Sequence, residues 1–248
     1  MTKLRILIIG ATSAIAQGVA QQYAEQKAQI FCAARNTTKM AQVAEKLGDA
    51  CVGTLCSDFN VPGFAEELIG QTVDVLGGID IALIAHGVLL NQIASEHDYD
   101  VARDTFETNL LTVVAFLIPL VEQMKKQGSG KIGVITSVAG ERGRPRNYTY
   151  GAAKGALNIY LQGMRSVLYG SGVEVYTIKM GPVDTPMTID HPKNFSFATV
   201  EQVSTRIVKS FQKKQYEIYV PRYWCVIMFF VRFMPEWLFQ RLDFLSAR

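Results

Sequence analysis

Four cysteines and three histidines in 248 residues leave little material for disulfide or metal chemistry. Cys32, Cys51, Cys56 and Cys225 form no C-x-x-C pair, and three of them fall in or beside predicted strands, where a free thiol behaves as a small apolar group. That usage points to a reducing, cytoplasmic compartment. His86, His97 and His191 are scattered, so no metal is expected. Charge of one sign is also scarce: 25 Lys and Arg against 22 Asp and Glu give a net +3, too little to argue for a nucleic-acid partner. The apolar stretch after Pro221 is far short of the roughly 20 residues of a membrane-spanning helix. Near the start, Lys3 and Arg5 precede an apolar stretch and Ala14-Ile15-Ala16 resembles a signal-peptidase site. Gly10, Thr12 and Ser13 interrupt that stretch, and cleavage would remove a strand and turn, so it is read as part of the fold.

What the chain has instead is a regular alternation. Short β-branched runs at Leu4–Ile9, Gln29–Ala33, Ala50–Leu55, Ile79–Ala85, Lys131–Thr136, Val173–Lys179 and Glu217–Val220 are separated by helical patterns. Near-continuous apolar strands alternating with helices predict an α/β fold: a single-domain, doubly wound parallel sheet of about seven strands, covered by helices on both faces. Ligands of such sheets bind at the carboxyl ends of the strands, where Gly10, Asp58, His86, Ser137 and Gly181 fall. Residues 1–220 form the catalytic unit. Residues 221–248 read as a hydrophobic, basic helical extension of it, since the segment from Arg206 to Arg248 carries eight Lys and Arg against three Asp and Glu. That extension predicts either peripheral membrane contact or a buried lid and oligomer contact; its basic residues with Trp224 and Trp237 at an interface suit the first.

Two stretches carry chemistry. Gly10-Ala11-Thr12-Ser13-Ala14-Ile15-Ala16 follows the first strand and opens a helix, a setting in which backbone N–H groups bind a pyrophosphate. Gly10, Thr12, Ser13 and Ile15 are its candidate contacts. Alanine stands at positions 14 and 16, where glycine usually permits close approach. The second strand ends in Ala33-Ala34-Arg35-Asn36, without the carboxylate that would receive the 2′-hydroxyl of NAD. Arg35 can pair with a 2′-phosphate, so NADP(H) is favoured over NAD(H). Further on, Ser137 precedes Tyr150 by thirteen residues and Tyr150 precedes Lys154 by four. Tyrosine and lysine at i and i+4 share a helix face, so the ammonium can lower the phenol's pKa and make it a proton donor. Tyr23 and Lys27 repeat the spacing, but Gly10 stands where the serine would be.

These residues resemble the short-chain dehydrogenase/reductase family over essentially the whole chain through about Val220. The resemblance implies a Rossmann-type fold and catalysis by Asn109, Ser137, Tyr150 and Lys154, with Tyr150 and Lys154 also touching the cofactor. It implies further cofactor contacts at Asp58 and Phe59 on the adenine side, at Gly87, and at Val183 and Thr185 in Gly181-Pro182-Val183-Asp184-Thr185. Asp58 could equally cap the next helix, and Asn109 could bond within its own helix. The family's Asn-Asn-Ala-Gly reads Ile84-Ala85-His86-Gly87 here, and its Pro-Gly reads Met180-Gly181. The family's usual oligomer packs long helices, here near Val101–Gln127 and Tyr148–Gly170, so a homodimer or homotetramer is implied.

A narrower similarity lies in Ser137 to Gly151 and in the aromatic end of the chain. It is to keto-reductases that act in polyprenylphosphoryl-ribose 2′-epimerisation for cell-wall precursors. That implies a lipid-linked keto-sugar, a polyprenylphosphoryl 2-keto-pentose, as substrate, with Arg142, Arg144 and Arg146 as candidate phosphate ligands. The three arginines could equally be solvated or pair across a subunit interface. A small or lipid-like ketone is the alternative substrate, and a non-catalytic NADP-binding sensor or scaffold is the competing class.

Overall fold

A computed structural model describes residues 3–185 and 197–242. His191 and the last six residues of the extension lie outside this set. The strands are β1 (Arg5–Ile9), β2 (Gln29–Ala34), β3 (Cys51–Cys56), β4 (Ile81–Ile84), β5 (Gly130–Ser137), β6 (Val173–Met180) and β7 (Glu217–Val220). They form one sheet in the order β3-β2-β1-β4-β5-β6-β7, every neighbouring pair parallel. The order reverses between β1 and β4, which opens a crevice at their carboxyl ends.

Alternation along β1 explains why its run is apolar throughout. Ile6 and Ile8 join one buried cluster with Val19, Met40, Tyr176 and Phe211, whereas Leu7 and Ile9 join the opposite one with Leu68, Phe116, Leu157 and Leu161. Successive side chains point to opposite faces, so both sets of β1 side chains from Ile6 to Ile9 are buried and apolar. Helices α1 (Ala14–Glu25), α2 (Thr37–Leu47) and α8 (Val200–Gln212) supply the first face, and α3 (Phe64–Leu76), α6 (Thr112–Gln127) and α7 (Tyr148–Val167) the second.

One expectation changes. The segment 101–127 is not one regular helix: α4 (Gln92–His97) and α5 (Tyr99–Phe106) lead into a π-helical turn at Glu107–Leu111 before α6 begins. Side chains stabilise that turn, with Asn109 donating to the Thr105 carbonyl and Thr112 to that of Thr108. The stretch Tyr99–Gln127 is long and apolar enough to cross a bilayer, yet Val113, Phe116, Leu117, Leu120 and Met124 are buried in the core.

The carboxy-terminal extension contains α9 (Trp224–Phe233) and α10 (Glu236–Phe239). Trp224, Met228, Val231 and Phe239 close with Val138 into a third apolar cluster, against the turn that follows β5. Ten residues of α9 rise about 15 Å, half the hydrocarbon thickness of a bilayer. Its other face leaves Val226, Phe229, Phe230 and Phe233 exposed, with Trp237 beyond them.

Candidate active site

A cavity of about 730 Å³ runs across the carboxyl ends of the central strands. At β1, Gly10 has φ +84°, and its amide and that of Ala11 both donate to the Ala33 carbonyl, at 2.8 and 3.0 Å. A Cβ there would lie 2.6 Å from the His86 backbone nitrogen, so glycine is required both by φ and by the approach of the β4 chain. Thr12, Ser13, Ala14 and Ile15 continue the wall into the first turn of α1, whose cap residue Ser13 makes no side-chain capping bond.

At the end of β2 the wall is Ala34, Arg35, Asn36 and Lys39. Asn36 accepts from the Lys39 amide at 2.8 Å and so starts α2 with two cations, Arg35 and Lys39, on the cavity side. Lys39 escaped the sequence reading; its signal was the Asn36 cap, which brings position 39 back over Arg35. Phe59 lines the cavity, but Asp58 does not: its carboxylate accepts from the Asn60 amide at 3.0 Å in a local turn.

After β4, His86 is buried between Phe59 and Phe116, ring centroids 4.9 and 5.8 Å away. Its Nε2 lies 2.9 Å from Thr112 Oγ1, and its Nδ1 is buried without a hydrogen-bond partner among the described residues. Burial, with Lys154 and Arg35 nearby, depresses its pKa to about 3, so the ring stays neutral. Gly87 and Val88 are clamped by Asn109: the carboxamide accepts from the Val88 amide at 3.1 Å and donates to its carbonyl at 2.9 Å. Asn109 therefore sits behind the wall and shapes it.

Beyond β5, Ser137, Tyr150 and Lys154 share one wall. Ser137 ends its strand and accepts from the Ala139 amide at 3.1 Å, which turns the chain back towards α7. Tyr150 and Lys154 sit one turn apart on α7, the ammonium 5.9 Å from the phenol ring centroid. Gly140 and Gly155 let the turn press against α7, since a Cβ on Gly140 would lie 2.6 Å from the Gly155 nitrogen. Lys154 donates to the Ile135 carbonyl at 3.2 Å, and burial lowers its pKa to about 8. Burial pushes Tyr150 up to about 12, against a hydrogen bond from Ser137 that lowers it. Burial thus sets the direction of the Tyr150 shift, and the group that opposes it is Ser137, where the sequence pointed to the lysine.

Gly181, Pro182, Val183, Thr185 and Phe197 close the far side. The indole of Trp224 packs on Gly181, leaving no room for a Cβ. Trp224 was expected at an interface and is instead cavity wall; only Trp237 is exposed. Arg144 and Arg146 also line the cavity, whereas Arg142 is turned away onto α9 and α10.

The chain matches the family profile described as "short chain dehydrogenase" over residues 4–194. It is 28% identical to the ketoacyl reductase HetN of a Nostoc species over 89% of this chain and 79% of that protein. It is also 28% identical to an uncharacterised oxidoreductase of Mycobacterium tuberculosis over 96% of each. In fold it resembles an actinorhodin polyketide ketoreductase crystallised with NADPH, with a TM-score of 0.75, 20% identity, and 83% of this chain and 89% of that one covered. A Gly10 turn shaped for close approach, Ser137, Tyr150 and Lys154 together on the cavity wall and a family profile that covers residues 4–194 lead to one assignment: the chain belongs to the short-chain dehydrogenases and is an NAD(P)-dependent oxidoreductase.

Proposed function

We propose that the protein reduces a ketone to a secondary alcohol at Tyr150, with NADP(H) as its cofactor. The observation that carries this reading is the convergence of Ser137, Tyr150 and Lys154 on one wall of a cavity that has Arg35 and Lys39 at its β2 end. Gly10, Thr12, Ser13 and Ile15 would hold the pyrophosphate, Arg35 and Lys39 the 2′-phosphate, and Phe59, Gly87, Val183 and Thr185 the remaining contacts. The bound cofactor supplies the hydride, chemistry no side chain provides. Ser137 donates a hydrogen bond to the carbonyl oxygen as charge develops on it, and Tyr150 donates the proton. A phenol at about 12 is a weak acid, so the Lys154 ammonium, 5.9 Å from the ring centroid, serves to stabilise the phenolate once the proton has left. Asn109 fixes the 87–88 backbone and stands behind Lys154 to support reprotonation.

The substrate we favour is a lipid-linked keto-sugar, a polyprenylphosphoryl 2-keto-pentose, which would place the protein among cell-wall precursor enzymes. The exposed row Val226, Phe229, Phe230, Phe233 and Trp237, beside Arg232 and Arg241, supports peripheral contact of 221–248 with the inner face of a membrane. A cytoplasmic homodimer or homotetramer is the assembly we expect. Turnover of a short-prenyl phosphoryl 2-keto-pentose at least tenfold more efficient than that of a small neutral ketone supports the substrate, and equal efficiencies remove it. Flotation with anionic liposomes, comparing wild type with a Phe229→Ser/Phe230→Ser/Phe233→Ser variant, tests the membrane face: equal partitioning removes the claim. Those three side chains are exposed, so the variant spares the Val138–Trp224–Met228 cluster that truncation would destroy.

A further inference from the structure

Among the described residues, Arg144 is a cation with no anion paired to it. Its Nη2 donates to Met228 Sδ at 3.6 Å, a weak acceptor, while its Nε is buried without a hydrogen-bond partner. Burial, and then the neighbouring Arg146, lower its pKa. Arg206 also has a buried Nε without a described partner, but it does not line the cavity, and other buried arginines are paired. Arg5 pairs with Asp80 at 2.7 Å and Arg165 with Glu217 at 3.4 Å. Two residues before Arg144, Arg142 donates to the carbonyls of Val231, Arg232 and Met234, meets Glu236 at 3.1 Å and lies over the Phe239 ring.

The cavity wall has the same bias. Its described lining residues include Arg35, Lys39, Arg144, Arg146 and Lys154 and no aspartate or glutamate. These cations fall at two separate ends. Arg35 and Lys39 follow β2, whereas Arg144 follows β5, and β1 and β4 stand between, a separation of three strand spacings or roughly 14 Å. The β2 pair suits a cofactor phosphate; Arg144 lies on the side of Ser137, where the ketone would sit. A desolvated guanidinium is costly unless an anion completes it, and its planar fork matches a phosphate or carboxylate in a bidentate pair.

We propose that the cavity beyond β5 contains a substrate-anion subsite in which Arg144 binds a phosphate group carried by the ketone. This deepens the ketone-reductase reading and rests on it. The loop holding Arg144 is held after it by the Asn147 amide, which donates to the Arg144 carbonyl at 3.1 Å, and before it by two contacts. Arg142 anchors it to the last turn of α9, and before it Glu141 meets the buried ammonium of Lys179 at 2.5 Å. The cation is therefore preorganised, and little side-chain freedom is lost on binding.

The test is calorimetric titration of the full chain saturated with NADP+, using monobutyl phosphate, dibutyl phosphate, butyrate and butanol against wild type and Arg144→Gln. The subsite predicts that a phosphate probe, monoester or diester, binds wild type more tightly than butyrate or butanol. It also predicts that Arg144→Gln weakens that probe at least about tenfold, the loss of a charge-assisted hydrogen bond, with the NADP+ affinity unchanged. The monoester and diester arms tell a free phosphate from a lipid phosphodiester. Unchanged phosphate affinity in Arg144→Gln, or tighter binding of butyrate, overturns the subsite. Failure of wild type to bind NADP+ would sink the reductase reading instead.

Discussion

The guanidinium of Arg142 donates to the Met234 carbonyl at 2.7 Å and lies 4.5 Å from the centroid of Phe239, so one residue of the loop after β5 caps α9 and clasps α10. Helix ends leave carbonyls unsatisfied, and a cation there satisfies them and meets the negative end of the dipole. Arg142→Ala is expected to loosen residues 224–239 and to destabilise the protein by about 1–3 kcal/mol. Hydrogen exchange would show faster exchange confined to α9, α10 and the 138–144 loop, and unchanged protection there would contradict the clasp.

In the proposed reading, cofactor choice rests on Arg35 and Lys39, which line the cavity at the β2 end. Arg35→Ser is expected to weaken NADP(H) about tenfold to a hundredfold, the range for charge-assisted hydrogen bonds to a phosphate, and to leave NAD(H) within about twofold. Cofactor fluorescence titration reads both. A parallel loss for the two cofactors would mean that Arg35 shapes the pocket without reading the phosphate.

Lys154 is buried and its pKa falls from 10.5 to about 8. The folded state therefore holds the proton less tightly than the unfolded chain, and the buried ammonium costs stability below pH 8. Between pH 8 and 10.5 the unfolded chain binds more protons, so stability rises with pH and this cost fades. Lys154→Met, which removes the charge, should be more stable than the cofactor-free wild type at pH 7 by on the order of 3 kcal/mol. Denaturant titrations across this range should show the gap closing as pH rises. A gap independent of pH would place the effect in packing.

Strand positions were legible in the sequence to within one or two residues because both faces of the sheet are covered, which forces apolar runs such as Ile6–Ile9. The turn at Gly10 and the spacing of Ser137, Tyr150 and Lys154 were legible for a similar reason: each depends on local geometry. What stayed hidden depends on distant partners. The π-helical turn arises from side chains of Asn109 and Thr112 bonding back along the helix, a feature no hydrophobic period reveals. Arg142 could be seen as a cation, but its acceptors lie about ninety residues away. Trp224 looked interfacial because its neighbours are aromatic and basic; the absent Cβ of Gly181 is what draws it into the cavity wall.

The central claim is that Tyr150 delivers the proton to a carbonyl oxygen. It is tested most directly by Tyr150→Phe, with NADPH oxidation followed on a phosphoryl keto-pentose and NADPH affinity measured on the same preparation. The account predicts a rate at least a hundredfold lower, the usual worth of a positioned general acid, with NADPH bound as tightly as by wild type. A variant that binds NADPH and turns over at the wild-type rate would contradict it.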